Sequence, residues 1–253
     1  RPYLTMAPAF QATIVRALGK IVARGLVYKG KKPVHWCLRD RTALAEAEVE
    51  YENHTSPSIY VEFPLSSSDT LLSSRVPALA GRDITVLIWT TTPWTIPSNL
   101  AIAFHPEATY AAYEVPDGNR VVILAEALAE AVTAATGRPL GQKVASVPGA
   151  QLERVQFRHP FYDRDSLGVL GEYVTLEQGT GAVHTAPGHG ADDFNTGVRY
   201  GLDIYAPIGV DGRFTRDTGV VGGLKVFEAN PVVEATLKER GRLWYRTEFQ
   251  HSY

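Results

Sequence analysis

The sequence predicts an α+β fold in which a barrel-like sheet of short strands carries a few peripheral helices. Three observations predict it. Short apolar segments, some strictly alternating, recur along the 253 residues between turns rich in glycine and proline. Helical periodicity appears only in scattered stretches, which argues against a regular βαβ series. Hydrophobic residues make up 45% of the chain and charged residues 21%, enough apolar side chains to fill a core. No repeat at solenoid period and no low-complexity tract breaks the pattern.

The elements follow in order. Ala9 to Arg24 reads as a helix with Ile14, Leu18, Ile21 and Val22 on one stripe and Gly25 as its stop. Short strands are expected at Val34–Cys37 and Ala47–Tyr51. From Ser58 to Leu65, Ile59, Val61 and Phe63 alternate with Tyr60 and Glu62, the pattern of a half-buried strand. In Asp83 to Trp89 the near-continuous run Ile84, Val86, Leu87 and Ile88 predicts a strand buried on both faces, and Pro93 turns the chain away. Tyr110–Val115 and Arg120–Leu124 flank Pro116-Asp117-Gly118-Asn119, a hairpin signal. Ala125 to Thr136 reads as a helix closed by Gly137, and Tyr173–Leu176 and Ala182–His184 as strands around a glycine-containing turn. Asp192 to Tyr200 looks helical, as does Pro231 to Arg240, with Pro231 in the first turn and Gly241 at the end.

Several function classes are excluded or narrowed. Cys37 is the only cysteine, so there is no internal disulfide and no multi-cysteine zinc site. No apolar run approaches a membrane span, and no basic-then-apolar leader is visible, so no membrane partner is expected and a cytoplasmic location fits. A net charge of −2 is no general nucleic-acid footprint. RNA would have to meet a local patch, for which Lys29, Lys31, Lys32, Arg39 and Arg41 are candidates; the same residues could equally form a solvated basic loop. The starts and stops at Arg1-Pro2-Tyr3 and Gln250-His251-Ser252-Tyr253 suggest a piece of a longer chain.

Two constellations carry chemistry. Trp89-Thr90-Thr91-Thr92-Pro93-Trp94-Thr95 brings three consecutive hydroxyls to the end of the buried strand, where they can bind a small polar ligand or a water. Threonine also simply favours strands. In the second, Gly179, Gly181, Pro187, Gly188 and Gly190 shape the backbone around His184, His189, Asp192 and Asp193. Helix capping needs only one of the two aspartates, which leaves the other to hold a ligand ammonium. Gly179-Thr180-Gly181 lacks the third glycine of a dinucleotide fingerprint, no Gly-x-Ser-x-Gly elbow occurs, and His184, His189 and an aspartate match no familiar metal-ligand spacing.

Together the two segments resemble the editing domain inserted in the catalytic domain of bacterial isoleucyl-tRNA synthetases. Trp89 to Thr95 is similar to that family's threonine-rich motif and Gly179 to Phe194 to its second editing motif. Lys32-Pro33-Val34-His35-Trp36-Cys37, Thr42 to Tyr51 and Gln250 to Tyr253 resemble the segments where the insertion leaves and rejoins its parent. Valyl and leucyl relatives carry Thr-Thr-Arg-Pro where this chain has Thr-Thr-Thr-Pro, and lack the Gly188-His189-Gly190 stretch. Asp40 stands where many relatives have a second cysteine, which puts any metal pairing with Cys37 in doubt.

The resemblance implies a β-barrel with peripheral helices and three parts: a root segment over 1–46, an editing domain over 47–245 and a return segment over 246–253. It implies hydrolysis of the ester in valine-charged tRNA(Ile), with a tRNA-binding insertion without hydrolytic activity as the alternative. Asp193 would grip the substrate α-ammonium, and Thr90, Thr91 and Thr92 would hold the ester and its attacking water. His184 would form the wall that sizes the side chain, with Asn99, Trp89 and Phe194 as further substrate-binding candidates. The implied partners are the tRNA and the rest of a parent synthetase. Editing needs no cofactor on this reading; ATP and Mg belong to a catalytic domain whose His-Ile-Gly-His and Lys-Met-Ser-Lys-Ser signatures do not occur here.

Overall fold

The computed structural model describes residues 3–116 and 119–252. The chain divides into two compact units, Arg1–Lys32 and Pro33–Tyr253.

The first unit is organised by helix α1 (Pro8–Ala23), with proline in its opening turn and Gly25 in the left-handed region (φ 72°) just past its end. Its stripe of Ile14, Leu18, Ile21 and Val22 is exposed.

The second unit opens with a short antiparallel pair, β1 (His35–Cys37) and β2 (Thr42–Leu44), whose turn carries Asp40 within 3.3 Å of the Cys37 thiol. The strand expected at Ala47–Tyr51 is absent. Glu46–Glu48 forms a single 3-10 turn instead, because Glu48 reaches back to accept the Ala45 N–H at 2.7 Å. The chain continues through β3 (Asn53–Pro64), α2 (Leu71–Arg75), β4 (Asp83–Thr90), β5 (Ala101–Phe104), β6 (Thr109–Glu114) and β7 (Arg120–Ala125). Next come α3 (Ala129–Thr136), β8 (Lys143–Pro148), β9 (Gln156–Arg158), β10 (Asp165–Leu170), β11 (Ala182–Thr185), α4 (Ala191–Tyr200), α5 (Val226–Glu239) and β12 (Leu243–Ser252). Residues 246–252 thus lie within the last strand.

Two mixed sheets form the body, ordered β12-β3-β4-β7-β6-β8 and β11-β5-β10-β9. They touch hydrogen bond to hydrogen bond at the Leu65–Phe157 bridge, beside the Ser66 N–H donating to the Gln156 carbonyl. The α+β class stands, but the expected barrel does not close: β8 and β12 remain the edges of the larger sheet. The β6–β7 hairpin forms in antiparallel register, Tyr110 opposite Ala125 to Glu114 opposite Val121; the turn residues Asp117 and Gly118 lie outside the described residues.

Three further expectations change. β3 is buried on both faces: Tyr60 and Glu62 are as covered as Ile59, Val61 and Phe63. Glu62 can be buried there because Arg120 pairs with it at 2.8 Å. Tyr173–Leu176 is no strand; the Val174 N–H closes a turn on Gly171, and its side chain fills a small core with Ala101, Ala103 and Val169. Helix α5 starts five residues before Pro231, at Val226, and the N–H of its N-cap residue Lys225 is capped by Glu228 at 3.0 Å. Pro231 therefore sits inside the helix.

Candidate functional site

β4 carries the first constellation. Ile88 is fully buried and the strand ends at Thr90, so Thr91 and Thr92 lie just beyond the ladder. Pro93 then opens a 3-10 turn, Pro93–Ser98. The Thr90 hydroxyl accepts the Thr92 N–H at 3.0 Å, which folds the run back on itself. The hydroxyls of Thr91 and Thr92 have no hydrogen-bond partner among the described residues, and all three threonines are half-buried. A ligand can therefore reach them.

β11 brings the second constellation alongside. His184 lies opposite Ile102 of β5 and is buried. Its Nε2 is 2.8 Å from the Thr95 hydroxyl, which itself donates to the Thr92 carbonyl at 2.8 Å. Its Nδ1 is 2.9 Å from the Asn99 amide nitrogen. An amide nitrogen only donates, so Nδ1 must be the acceptor and Nε2 carries the proton. Both ring nitrogens are thereby engaged, and burial pulls the imidazole down to about 3. Asn99 is fully buried; it also donates to the Ala101 carbonyl and accepts from Ser166. Thus His184 and Asn99 are joined to the threonine run through Thr95.

Asp193 lies in the first turn of α4, eight residues past the end of β11 and three past a tight Pro187–Gly190 loop. One of its oxygens accepts the Ala186 N–H at 2.7 Å. Burial is the largest influence on it and raises the carboxyl to about 6; the Ala186 bond works against this and the neighbouring Asp192 adds to it. Among the described residues no Lys or Arg pairs with it. Neither aspartate caps the helix, as one had been expected to. The N-cap is Gly190 in extended backbone, with no side-chain cap, and Asp192 is exposed. Phe194 is half-buried on the same turn. Gly188 allows the loop its close approach: a Cβ there would lie 2.5 Å from the Tyr205 carbonyl oxygen.

Trp89 is placed differently. Neighbouring strand residues face opposite sides, so its ring and the Thr90 side chain diverge. Its indole N–H donates to Ser58 at 2.7 Å and its ring meets Phe249 edge to face.

Two further histidines surround the turn: His159, which the motifs did not single out, and His189 of the second constellation. His159 is buried, with burial pulling it to about 3; its Nε2–H reaches the Ile96 carbonyl at 2.9 Å while Nδ1 accepts the Phe161 and Tyr162 N–H groups. His189 stands 2.9 Å from the Ser98 hydroxyl and edge-on to Trp94, and burial takes it to about 4. The only advance signal for His159 was that it lies in a segment dense in aromatics. No group of three or more His, Cys, Asp or Glu side chains is gathered to hold a metal among the described residues. A cleft of about 450 Å³ lined by Glu153, Arg154, Glu172, Arg199 and Tyr200 shares no residue with this constellation. The candidate basic-patch residues are exposed, Lys29 to Lys32 in the first unit and Arg39 and Arg41 at the β1–β2 turn of the second. No helix among the described residues is long and apolar enough to cross a membrane.

Among the described residues, the second unit thus holds a half-buried carboxylate without a countercharge in the first turn of α4 and unpaired threonine hydroxyls at the end of β4. The family model described as tRNA synthetases class I (I, L, M and V) matches residues 1–245, and the chain belongs to that family. Within it, the whole chain aligns with isoleucine–tRNA ligases: 50% identical over 253 residues to that of Geobacter sulfurreducens and 48% to that of Syntrophotalea carbinolica. The chain spans 27% of the length of each of these curated relatives. Solved structures with the same fold include a crystal structure of GlLeuRS-CP1 (TM-score 0.58, 17% identity, covering 74% of this chain and 97% of that one). The editing domain of the Plasmodium knowlesi cytosolic leucyl-tRNA synthetase is another, at TM-score 0.55 and 11% identity, covering 80% of this chain and 98% of that one.

Proposed function

We propose that this chain hydrolyses the ester of valine mischarged onto tRNA(Ile), as the editing part of an isoleucyl-tRNA synthetase. The observation that carries the reading is Asp193: a carboxylate whose surroundings raise it to about 6, with no cation beside it among the described residues. A substrate α-ammonium is the partner that would relieve it, by a charge-assisted hydrogen bond. The hydroxyls of Thr91 and Thr92 are then free to hold the ester oxygen and a water, with Thr90 fixing the run's shape. Isoleucine and valine differ by one methylene, worth about 1–3 kcal/mol in a hydrophobic pocket, a general figure rather than a measurement on this chain. A second site that admits valine and excludes isoleucine by bulk supplies the remaining discrimination. Both nitrogens of His184 are engaged, which suits a wall and not a proton acceptor. On this reading the neighbouring ribose hydroxyl takes the proton of the attacking water while passing its own to the departing ribose oxygen of the ester.

The parent chain and tRNA are the partners that membership of the family implies. The exposed stripe of α1 is suited to packing against the remainder of such a parent.

The test is deacylation of valyl-tRNA(Ile) against isoleucyl-tRNA(Ile) by the chain and by Asp193→Ala. The chain should hydrolyse the valyl ester selectively. Asp193→Ala should lose a charge-assisted contact worth about 1.5–3 kcal/mol, or roughly ten- to a hundredfold in rate. Unchanged hydrolysis by the variant removes Asp193 from its role. No hydrolysis by the unsubstituted chain, with tRNA still bound, favours a binding insertion.

A further inference from the structure

The turn Pro93–Ser98 directly follows the threonine run, and five consecutive residues of it are gripped by side chains from elsewhere in the fold. The Trp94 N–H donates to the Asn230 Oδ1 at 2.9 Å. Thr95 takes the ring of His184. The Ile96 carbonyl accepts from His159 and the Pro97 carbonyl from Arg164. The Ser98 hydroxyl meets His189. These clamps come from α5, β11, the 159–164 loop and the loop before α4, between 63 and 136 residues away along the chain. A short 3-10 turn has poor internal hydrogen-bond geometry and would not hold one shape unaided. Capping a strand end needs one or two outside bonds, so a grip on five of its six residues calls for another reason.

We propose that Asn230, His159, Arg164 and His189 are positioning residues of the hydrolytic site, holding the Pro93–Ser98 turn so that the hydroxyls of Thr91 and Thr92 stay aimed at the ester. The inference rests on the hydrolytic reading above. Asn230 isolates the effect best. It belongs to α5, which packs against the turn, and its bond goes to backbone. His189 also links the two halves of the site, because its loop leads into the turn of α4 that carries Asp193.

The experiment uses the full 253-residue chain and valyl-tRNA(Ile). Alanine at position 230 favours the helix and so keeps the fold, while removing the acceptor for the Trp94 N–H. Asn230→Asp keeps an acceptor in place. In Asn230→Ala, kcat should fall about tenfold or more, as expected of misplaced reacting groups, with KM unchanged. Asn230→Asp should recover most of it. Hydrogen exchange at the Trp94 amide should accelerate in the first variant and slow again in the second. His189→Ala and His189→Gln form a second pair with the same expected loss and rescue, since a glutamine side-chain amide can donate to or accept from the Ser98 hydroxyl in place of the ring Nε2. Fast Trp94 exchange with unchanged kcat overturns the inference while leaving the hydrolytic reading intact. A rise in KM at constant kcat also overturns it, because these residues would then touch substrate. An unsubstituted chain that hydrolyses no valyl ester overturns the reading and the inference with it.

Discussion

Acid should destabilise this protein from the candidate site outward, well before most carboxylates titrate. Burial pulls His159 to about 3, His184 to about 3 and His189 to about 4 in the folded chain. Unfolded, each would take up its proton near an ordinary value of about 6.5. Between roughly pH 6.5 and 4 the unfolded state therefore binds more protons, and stability falls as pH falls. Three such groups would give a slope of about 4 kcal/mol per pH unit inside that window. Asp193 acts in the opposite sense: its carboxyl is raised from 3.8 to about 6, so between those values the folded state holds the extra proton. Glu62, raised chiefly by burial despite Arg120, adds in the same direction. Three protons against one or two leave a net slope of roughly 1–3 kcal/mol per pH unit. A typical domain has about 5–15 kcal/mol in total, so two or three pH units remove a large share of it. Urea melts at half-unit steps from pH 8 to 4, followed by tryptophan fluorescence, measure this directly; Trp94, edge-on to His189, reports on the site itself. The shifts arise from burial, so added salt should leave the slope nearly unchanged. Stability that stays flat or rises from pH 7 to 5 would refute the reasoning, as would ring titrations near pH 6.5 in the folded protein.

The remaining expectations are more local. His184→Ala leaves one N–H of Asn99 and the accepting lone pair of the Thr95 hydroxyl unsatisfied, at about 1–3 kcal/mol for each unsatisfied group, and should let isoleucyl-tRNA be hydrolysed while valyl-tRNA hydrolysis falls less than in Asp193→Ala. Collapse of valyl-tRNA hydrolysis with isoleucyl-tRNA still protected would instead make His184 the base. Valyl-tRNA hydrolysis should decline as pH drops through about 6, where Asp193 gains its proton, and the midpoint should move lower under saturating substrate; a profile flat from pH 7 to 5 argues against an ionised Asp193. Gly188→Ala forces a Cβ against the Tyr205 carbonyl and should cost about 1–3 kcal/mol, whereas Gly190→Ala, with its nearest neighbour 3.4 Å away, should stay within about 0.5 kcal/mol in a urea melt. Hydrolysis should survive chelators; zinc at one equivalent whose removal stops the reaction would overturn a metal-free mechanism.

Local patterning carried the elements whose residues agree with one another at short range. The run Ile84 to Ile88 announced a doubly buried strand, and β4 is one, because burial on both faces leaves no polar position in the middle of the segment except Thr85. The helix at Asp192 to Tyr200 was visible because its period, its acidic first turn and the glycine after it coincide. Patterning failed where a distant residue decided the outcome. Glu62 reads as a solvent-facing position until Arg120, 58 residues on, is brought beside it. Val174 reads as part of a strand until a small core with Ala101 and Val169 claims it. Pro231 reads as a helix start, but the cap that starts the helix is the Lys225–Glu228 pair upstream.

The order of the chain by itself determined which chemical groups are available: a run of hydroxyls at a strand end, a glycine-shaped loop with two histidines, and two adjacent carboxylates. It also determined the family, since those groups occur in characteristic short segments. Only the tertiary structure decided how each group is used. Asp193 and not Asp192 is the desolvated carboxylate, because the Ala186 N–H lies under it and water covers its neighbour. His184 is a neutral, doubly bonded ring and not an open base, because Thr95 and Asn99 converge on it from a turn some 85–89 residues away. Burial and hydrogen-bond partners set the protonation and availability of a side chain, and both are properties of the folded surroundings that no short stretch of sequence contains.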